Sequence, residues 1–462
     1  MCSLVALALV LRVTGLGAHS LWFDECMTWL IARAPRPLEL VQQELNPPFA
    51  YLVFWSWIRI AGDSVSALRL LPALASFAAV LLGARAAHEL AGPRAGLVAL
   101  LLLGTSPLSV WYGQEVRSYC FVEVGSALLL LAWARRHGGR RSWPWAAAGT
   151  FVAVGSHYLA VLVPALVLGV AWGQTWWRHQ GGGMRVRLVR AAGDPFVRGV
   201  ALGLLCWLPW WILVTRVQLR TPWGRGSVPD ARALVELPSR LYFVAGSALA
   251  PAVRGLVGVG VVVWNLGLAA AAWRAVRRPG VLRVLMLIPA GAVLASVAVS
   301  WCCVPVFGVR YLLAAHLWLV TAVAAAVRAR VAETATVVLV AAVGVANVLA
   351  TRAADVKEDF AGAASALTAR FQPGDRIVCL TGVLEAFEQA PLRYYLRHAP
   401  ELLAALTPAL DVLASPTPGT VHIVLREAPY SWPLWQRLLE CGTVVSETPM
   451  HNRVKYAQLR LP

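Results

Sequence analysis

Apolar runs of about 18–22 residues recur along this 462-residue chain, each long enough to cross the roughly 30 Å hydrocarbon core of a bilayer as a helix. Only 14% of the residues are charged and 59% are hydrophobic, against about 25% and 45–50% in a soluble domain. That composition excludes an ordinary soluble enzyme. It predicts an all-α polytopic membrane protein of about 11–13 transmembrane helices, with a small C-terminal α/β domain outside the membrane.

The net charge of +18 looks at first like a nucleic-acid signal. Residues 1–352 hold 31 Lys and Arg against 12 Asp and Glu, whereas residues 353–462 hold 10 against 11. The basic excess therefore lies wholly in the apolar part, where short cytoplasmic loops collect cations, and nucleic acid is not expected as a partner. The eight cysteines make no C-x-x-C and no zinc spacing, and most sit in apolar runs as small hydrophobes. Cys379 and Cys441 share the last domain and could pair there if it is extracytoplasmic.

Met1–Gly15 is apolar but lacks a cationic leader and a cleavage site, so it reads as a first transmembrane helix. Further spans are expected near 64–84, 95–112, 118–134, 143–157, 158–177, 198–215, 253–273, 281–301, 309–327 and 334–351. Basic clusters at Arg85–Arg94, Arg135–Arg141, Arg178–Arg198, Arg274–Arg283 and Arg328–Arg330 occupy every second connection. Eleven spans with a cytoplasmic N-terminus put all five inside. Counting Pro47–Gly62 as a full span would send them outside, so this Trp- and Tyr-rich stretch is expected as a re-entrant or juxtamembrane helix at the outer interface; Leu241–Val253 reads similarly.

This organisation gives a membrane domain, 1–352, with a first outer loop at 19–63, and a soluble domain, 353–462. In the latter, helices are expected at Asp355–Phe371, Leu384–Arg397 and Trp432–Cys441, with strands at Arg376–Thr381, Val421–Arg426 and Thr443–Glu447.

The outer loops and span ends hold the residues able to do chemistry. Asp24 and Glu25 follow the first span within LWFDECMTW. They are either a solvated loop pair or carboxylates desolvated by Trp22, Phe23 and Trp29, which would make a better general base. The turn SPLSVWYGQEVRSY brings Glu115 and Arg117; Glu115 is either a helix cap or a second carboxylate of one site. His157 and Tyr158 end another span, where packing explains a lone histidine as well as catalysis does. Arg310 and Tyr311 open a late span, the arginine either snorkelling to the interface or holding a phosphate in its planar fork. Asn46 precedes the prolines that start the juxtamembrane helix.

No G-x-x-x-x-G-K-[ST] and no H-E-x-x-H is present, and Gly258-x-Gly260 lacks its third glycine. An enzyme on the outer face meets no cytoplasmic nucleotide, so its substrate must arrive already activated on a lipid. No cofactor and no metal site is predicted, although a carboxylate pair is compatible with a divalent cation.

LWFDE, NPPFAYLVFWSWIRIAGDS with ALRLLPAL, SPLSVWYGQEVRSY, SHY and VRYLL occur in that order. Together they resemble the C-type glycosyltransferases of the protein O-mannosyltransferase and lipid A aminoarabinose transferase group, above all their bacterial mannosyltransferase-like relatives, over roughly residues 10–330. The segment KEDFAGAASALTARFQPGDRIV resembles the soluble tail that many of them carry. The resemblance implies the GT-C fold, a multi-pass place in a bacterial inner membrane, a polyprenyl-phosphate sugar donor, and inversion at the anomeric carbon. It implies an extracytoplasmic acceptor, which could be a cell-envelope glycan, lipid or protein.

By the same resemblance Asp24 is the general base with Glu25 as its acidic neighbour. Glu115 is the second acidic motif, Arg310 the cation at the donor phosphate, and Arg117, His157, Tyr158, Tyr311 and Asn46 substrate-binding residues. Two departures stand out. The aminoarabinose enzymes carry Lys where this chain has Asn46, which argues against that sugar. Only eleven residues precede Arg12, which marks the outer end of a longer first helix in the group, so half a span would be missing from the start. The alternative from another class is a transporter or flippase of a lipid-linked substrate, which would place ionisable residues at the bilayer midplane and show repeated halves. A third is an inactive binding or assembly protein with an outer domain.

Overall fold

The computed structural model describes every residue except 45, 180, 182, 219–226, 245–248, 278–279, 329, 355–356, 382–384, 428–430 and 451. It divides into two compact units, each assembled from separated stretches. The first holds Met1–Thr14, Val41–Ala50 and Arg69–Ala353, and the second Gly15–Leu40, Tyr51–Leu68 and Ala354–Pro462. Most of the stretch between the first two expected spans therefore clusters with the C-terminal residues.

The first unit is a helical bundle, and each of the eleven expected spans coincides with a helix or helix pair. Among the described residues, seven helices are long and apolar enough to cross a membrane: Val65–Ala91, Tyr158–Arg178, Pro195–Val214, Pro251–Arg277, Val281–Cys302, Val309–Ala326 and Val331–Ala353. An eighth span is bent by 57° between Pro93–Thr105 and Pro107–Gly113. The cause is local: Pro107 brings no N–H, and Ser106 leaves the helix to accept a bond from Ser109 N–H. Cys2–Val13 and Phe49–Ala61 are apolar but shorter, and Tyr119–His137 carries Glu123.

Leu313–Ala326 reads LAAHLWLVTAVAAA, apolar on every side, and lies at the centre of the core. It packs on Pro93–Thr105, Tyr119–His137 and Val281–Cys302. Leu266, Leu287 and Leu294 on the outer helices stay exposed, as lipid-facing residues must. Hydrophobicity cannot discriminate between neighbouring helices in lipid, so small residues set the closest contacts. A Cβ on Gly125 would come within 2.5 Å of Ala153 N, and one on Gly149 within 2.7 Å of Gly125 O. Those glycines let Tyr119–His137 and Trp143–Ser156 pack backbone to backbone.

The second unit holds a four-stranded sheet: β1 (Arg376–Leu380), β2 (Gly419–Arg426), β3 (Thr443–Pro449) and β4 (Val454–Leu461), in the order β1-β2-β4-β3. The β1–β2 pair is parallel, while β2–β4 and β3–β4 are antiparallel. The expected helix at 384–397 is broken by Pro391 into Glu385–Glu388 and Ala390–Tyr395, and Leu384 lies outside the described residues. The expected helix from Asp355 begins at Phe360, because Asp359 caps it by accepting Gly362 N–H at 2.8 Å; residues 355–356 are outside the described set. Cys379 and Cys441 are not joined. Cys379 is buried against Thr381, and burial pushes its thiol up to about 12.

Candidate functional site

In the first unit, several loops and helix ends converge. Phe49, just after Pro47 and Pro48, sits edge-on against Phe121 and Phe151 with ring centroids 5.9 and 5.8 Å away, which seats the 46–49 segment. Glu44 is buried there. Its Oε2 accepts the backbone N–H and the side-chain amide of Asn46 at 2.9 and 3.0 Å, and its Oε1 lies 3.2 Å from Arg117 Nη2. Asn46 thus orients a carboxylate, and that carboxylate holds an arginine. Sequence reading overlooked Glu44, although it stands two residues before the proline motif.

Glu115 and Arg117 lie on the turn between Pro107–Gly113 and Tyr119–His137, both buried, with Arg117 N–H bonded to Glu115 O at 2.7 Å. Beyond that turn a row of rings runs Tyr112–Tyr119–His157–Tyr311, with centroids 5.0, 6.2 and 5.0 Å apart. His157 ends its helix in extended geometry, and its Nδ1 accepts Leu159 N–H at 3.2 Å to start the following 3₁₀ turn. That bond leaves the proton of a neutral ring on Nε2. Arg310 donates to the Tyr311 hydroxyl at 2.8 Å and lies over its ring. Arg117 stands two residues before Tyr119 of that row, and Arg310 is bonded to Tyr311 at its far end.

Within this unit the structure therefore gathers Asn46, Glu115, Arg117, His157, Arg310 and Tyr311, and adds Glu44, Tyr112 and Tyr119. Tyr158 has a different task, accepting a bond from Trp210 Nε1 at 3.1 Å. The assembly offers two guanidinium groups and an imidazole N–H beside two carboxylates, a set suited to a phosphate and a polar co-substrate.

Asp24 and Glu25 belong to the second unit and open the helix Phe23–Arg33. Asp24 is partly exposed. Glu25 is fully buried, and its Oε2 accepts Trp22 N–H at 3.3 Å and Lys357 Nζ at 3.2 Å. The two carboxylates that sequence treats as a pair thus sit in different environments, one open and one tied into the protein.

A second polar cluster in the bundle escaped sequence reading. Arg12 is fully buried and donates to Ser76 Oγ, Ala8 O, Gly104 O, Leu103 O and Ser109 Oγ over 2.9–3.1 Å. Both serines reach Glu123 Oε2, at 3.3 and 3.1 Å. His316 lies 3.6 Å from Glu123 and 3.1 Å from Ser106 Oγ. The signal was available, since an ionisable residue inside an apolar span needs a named partner. Among the described residues, no group of three or more His, Cys, Asp or Glu side chains is placed to hold a metal ion.

Residues 45–212 match the family described as dolichyl-phosphate-mannose-protein mannosyltransferase. No curated protein sequence matches the chain. Among solved structures, ArnT from Cupriavidus metallidurans bound to undecaprenyl phosphate is 16% identical, with a TM-score of 0.57 over 99% of this chain and 97% of its own. An oligosaccharyltransferase from Archaeoglobus fulgidus is 13% identical, with a TM-score of 0.47 over 88% of this chain and 63% of its own. The chain thus has the GT-C fold along its length and resembles the C-type membrane glycosyltransferases of the O-mannosyltransferase and ArnT type.

Proposed function

We propose that this protein is an inverting glycosyltransferase of a bacterial inner membrane, moving a sugar from a polyprenyl-phosphate donor to a hydroxyl of an extracytoplasmic acceptor. The observation that carries the reading is the row of rings Tyr112–Tyr119–His157–Tyr311 at the loop ends of the bundle, with Arg310 bonded to Tyr311 at one end and Arg117 on the turn that leads into Tyr119. The donor is a phosphodiester with one negative charge, and the leaving polyprenyl phosphate gains a second. Cations held in place before the reaction favour that change more than they favour the bound donor. The family match over 45–212 and the fold shared with an undecaprenyl-phosphate-bound enzyme support the same reading.

In this mechanism Asp24 takes the acceptor's hydroxyl proton while the acceptor oxygen attacks the anomeric carbon. The bond from that carbon to the phosphate oxygen breaks, and its electron pair leaves with polyprenyl phosphate. Arg310 meets the growing charge, with Arg117 and His157 Nε2–H beside it. Glu44 and Asn46 orient Arg117, Glu115 orients substrate, and Glu25 holds the Asp24 helix without touching the reactants. A positioned general base contributes about 10²–10⁴-fold.

The test is label transfer from radiolabelled undecaprenyl-phosphate sugars into crude envelope extract, with purified native protein beside Asp24→Asn. Transfer from one donor by the native protein alone is the expected result. Transfer by Asp24→Asn at the native rate removes Asp24 as the base. No transfer from any donor by folded protein returns the weight to a transporter of lipid-linked substrates.

A further inference from the structure

Two acidic side chains and two basic ones surround the start of the helix that carries Asp24, and all belong to the same unit. Glu25 accepts the Trp22 amide and Lys357 Nζ through one oxygen. Glu358 accepts the next amide, that of Phe23, at 3.1 Å, and Arg426 Nε at 2.6 Å. Arg426 also lies over the Phe23 ring, 5.2 Å from its centroid. The backbone carrying Lys357 and Glu358 is itself tied down, because Asn452 Nδ2 donates to Lys357 O at 2.8 Å and Ser20 Oγ to Glu358 O at 2.5 Å. Farther along the helix, Trp29 donates to Asp63 and packs edge-on against Tyr394. Two successive amides at a helix start, each closed by a different buried carboxylate, fix the backbone on the N-terminal side of Asp24.

We infer that Lys357 and Glu358, through Glu25 and the Phe23 amide, are positioning residues for Asp24, which makes the C-terminal segment part of the catalytic apparatus. The inference rests on the proposed role of Asp24. Burial and the charge of Asp24 raise the Glu358 carboxyl above the ordinary range despite Arg426 and the Phe23 amide, which places Glu358 within the field of the residue it positions. Buried charges are retained only when paired, and leaving Glu25 without Lys357 forces the pair to rearrange. A displacement of about 1 Å at a reacting group can cost about 10²-fold in rate.

The experiment compares full-length native protein with Lys357→Met, Lys357→Arg and Glu358→Gln, reading kcat and donor KM with the undecaprenyl-phosphate sugar that the label-transfer assay identifies. Amide hydrogen exchange over residues 20–33 is measured on the same samples, and Glu447→Gln, which loosens a surface pair with Lys455, is the control. The expected result is about 10²-fold lower kcat in Lys357→Met with donor KM within about twofold. Faster exchange at Trp22–Met27 and substantial recovery in Lys357→Arg should accompany it. Glu358→Gln keeps one acceptor oxygen and turns an NH2 toward the other donor, so it loses the charge and one of the two bonds, to the Phe23 amide or to Arg426. It should lower kcat less than Lys357→Met while remaining folded. Native kcat or native exchange in Lys357→Met overturns the inference. If Asp24→Asn is inactive while Lys357→Met is native-like, only this inference falls; if Asp24→Asn is active, the reading beneath it falls too.

Discussion

Two buried polar clusters in the bundle use similar residues and solve different problems. Around Arg12, five hydrogen bonds go to serines and backbone carbonyls, four on neighbouring helices and one, Ala8 O, on its own, and Glu123 closes the set through the same serines. Nearly all of these groups sit inside helices. Around Arg117 and Arg310 the groups come from turns and helix ends, steadied by the row of tilted and edge-on rings and by the Glu44–Asn46 contact. A guanidinium saturated by helix backbone has no capacity left for a substrate. One placed at a loop end beside aromatic faces can exchange protein contacts for a phosphate.

The comparison breaks most visibly through stability. Removing one member of a buried charged set leaves its partner uncompensated and costs about 3–5 kcal/mol, so Arg12→Met or Glu123→Leu should greatly lower the thermal midpoint of detergent-purified protein. The double variant should recover part of the loss. Native-like unfolding in either single variant would mean that the Arg12 cluster is not a structural joint. Arg310→Ala should do the opposite, leaving the midpoint nearly unchanged while kcat/KM falls by about 10²–10³-fold, the effect of losing one preorganised donor. Arg310→Lys should recover little, because a point charge does not reproduce the planar fork. Equal losses of stability at the two arginines would erase the distinction.

Sequence alone made the helices at the eleven expected spans legible, because a lipid-soluble helix leaves a long, uniform signal. Among the described residues seven of them, or eight with the bent pair, are long and apolar enough to cross a membrane. The bend at Ser106–Pro107 and the break at Pro391 depend on one residue each, and a smooth apolar run hides them. β4 was missed although VKYAQLRL alternates, since its last residues border the chain end and no turn dipeptide of the usual kind precedes them. Among the candidate residues of the two units, Asp24, Glu115, Arg117, His157 and Arg310 were marked by their place at span ends. Glu44, Lys357 and Glu358 were not, because what distinguishes them is a partner distant in sequence: Arg117 for Glu44, Glu25 for Lys357, the Phe23 amide for Glu358. Pairwise geometry of that kind is invisible until the chain is folded.

The smallest expected effect lies at the other kind of helix end, where Asp194 precedes Pro195. Its Oδ1 caps the helix through Phe196 N–H at 2.9 Å, and its Oδ2 holds Arg136 through Nε and Nη2 at 3.0 and 2.8 Å. Burial alone would raise this carboxyl, but the bonds and charge of Arg136 outweigh it and hold the group below the ordinary carboxylate range. A carboxyl whose folded value is depressed contributes stability at pH values above its unfolded value, near 4, and loses it as pH falls through the folded value. The native protein should therefore lose thermal stability below about pH 4, and Asp194→Asn should show less of that loss. Asparagine keeps the cap through its one oxygen but turns its NH2 toward Arg136, so both Arg136 bonds are lost. The cost at neutral pH should be about 1–3 kcal/mol for this partly exposed pair. Identical acid profiles for the two proteins would show that Arg136 and Asp194 add nothing to the folded state beyond the cap.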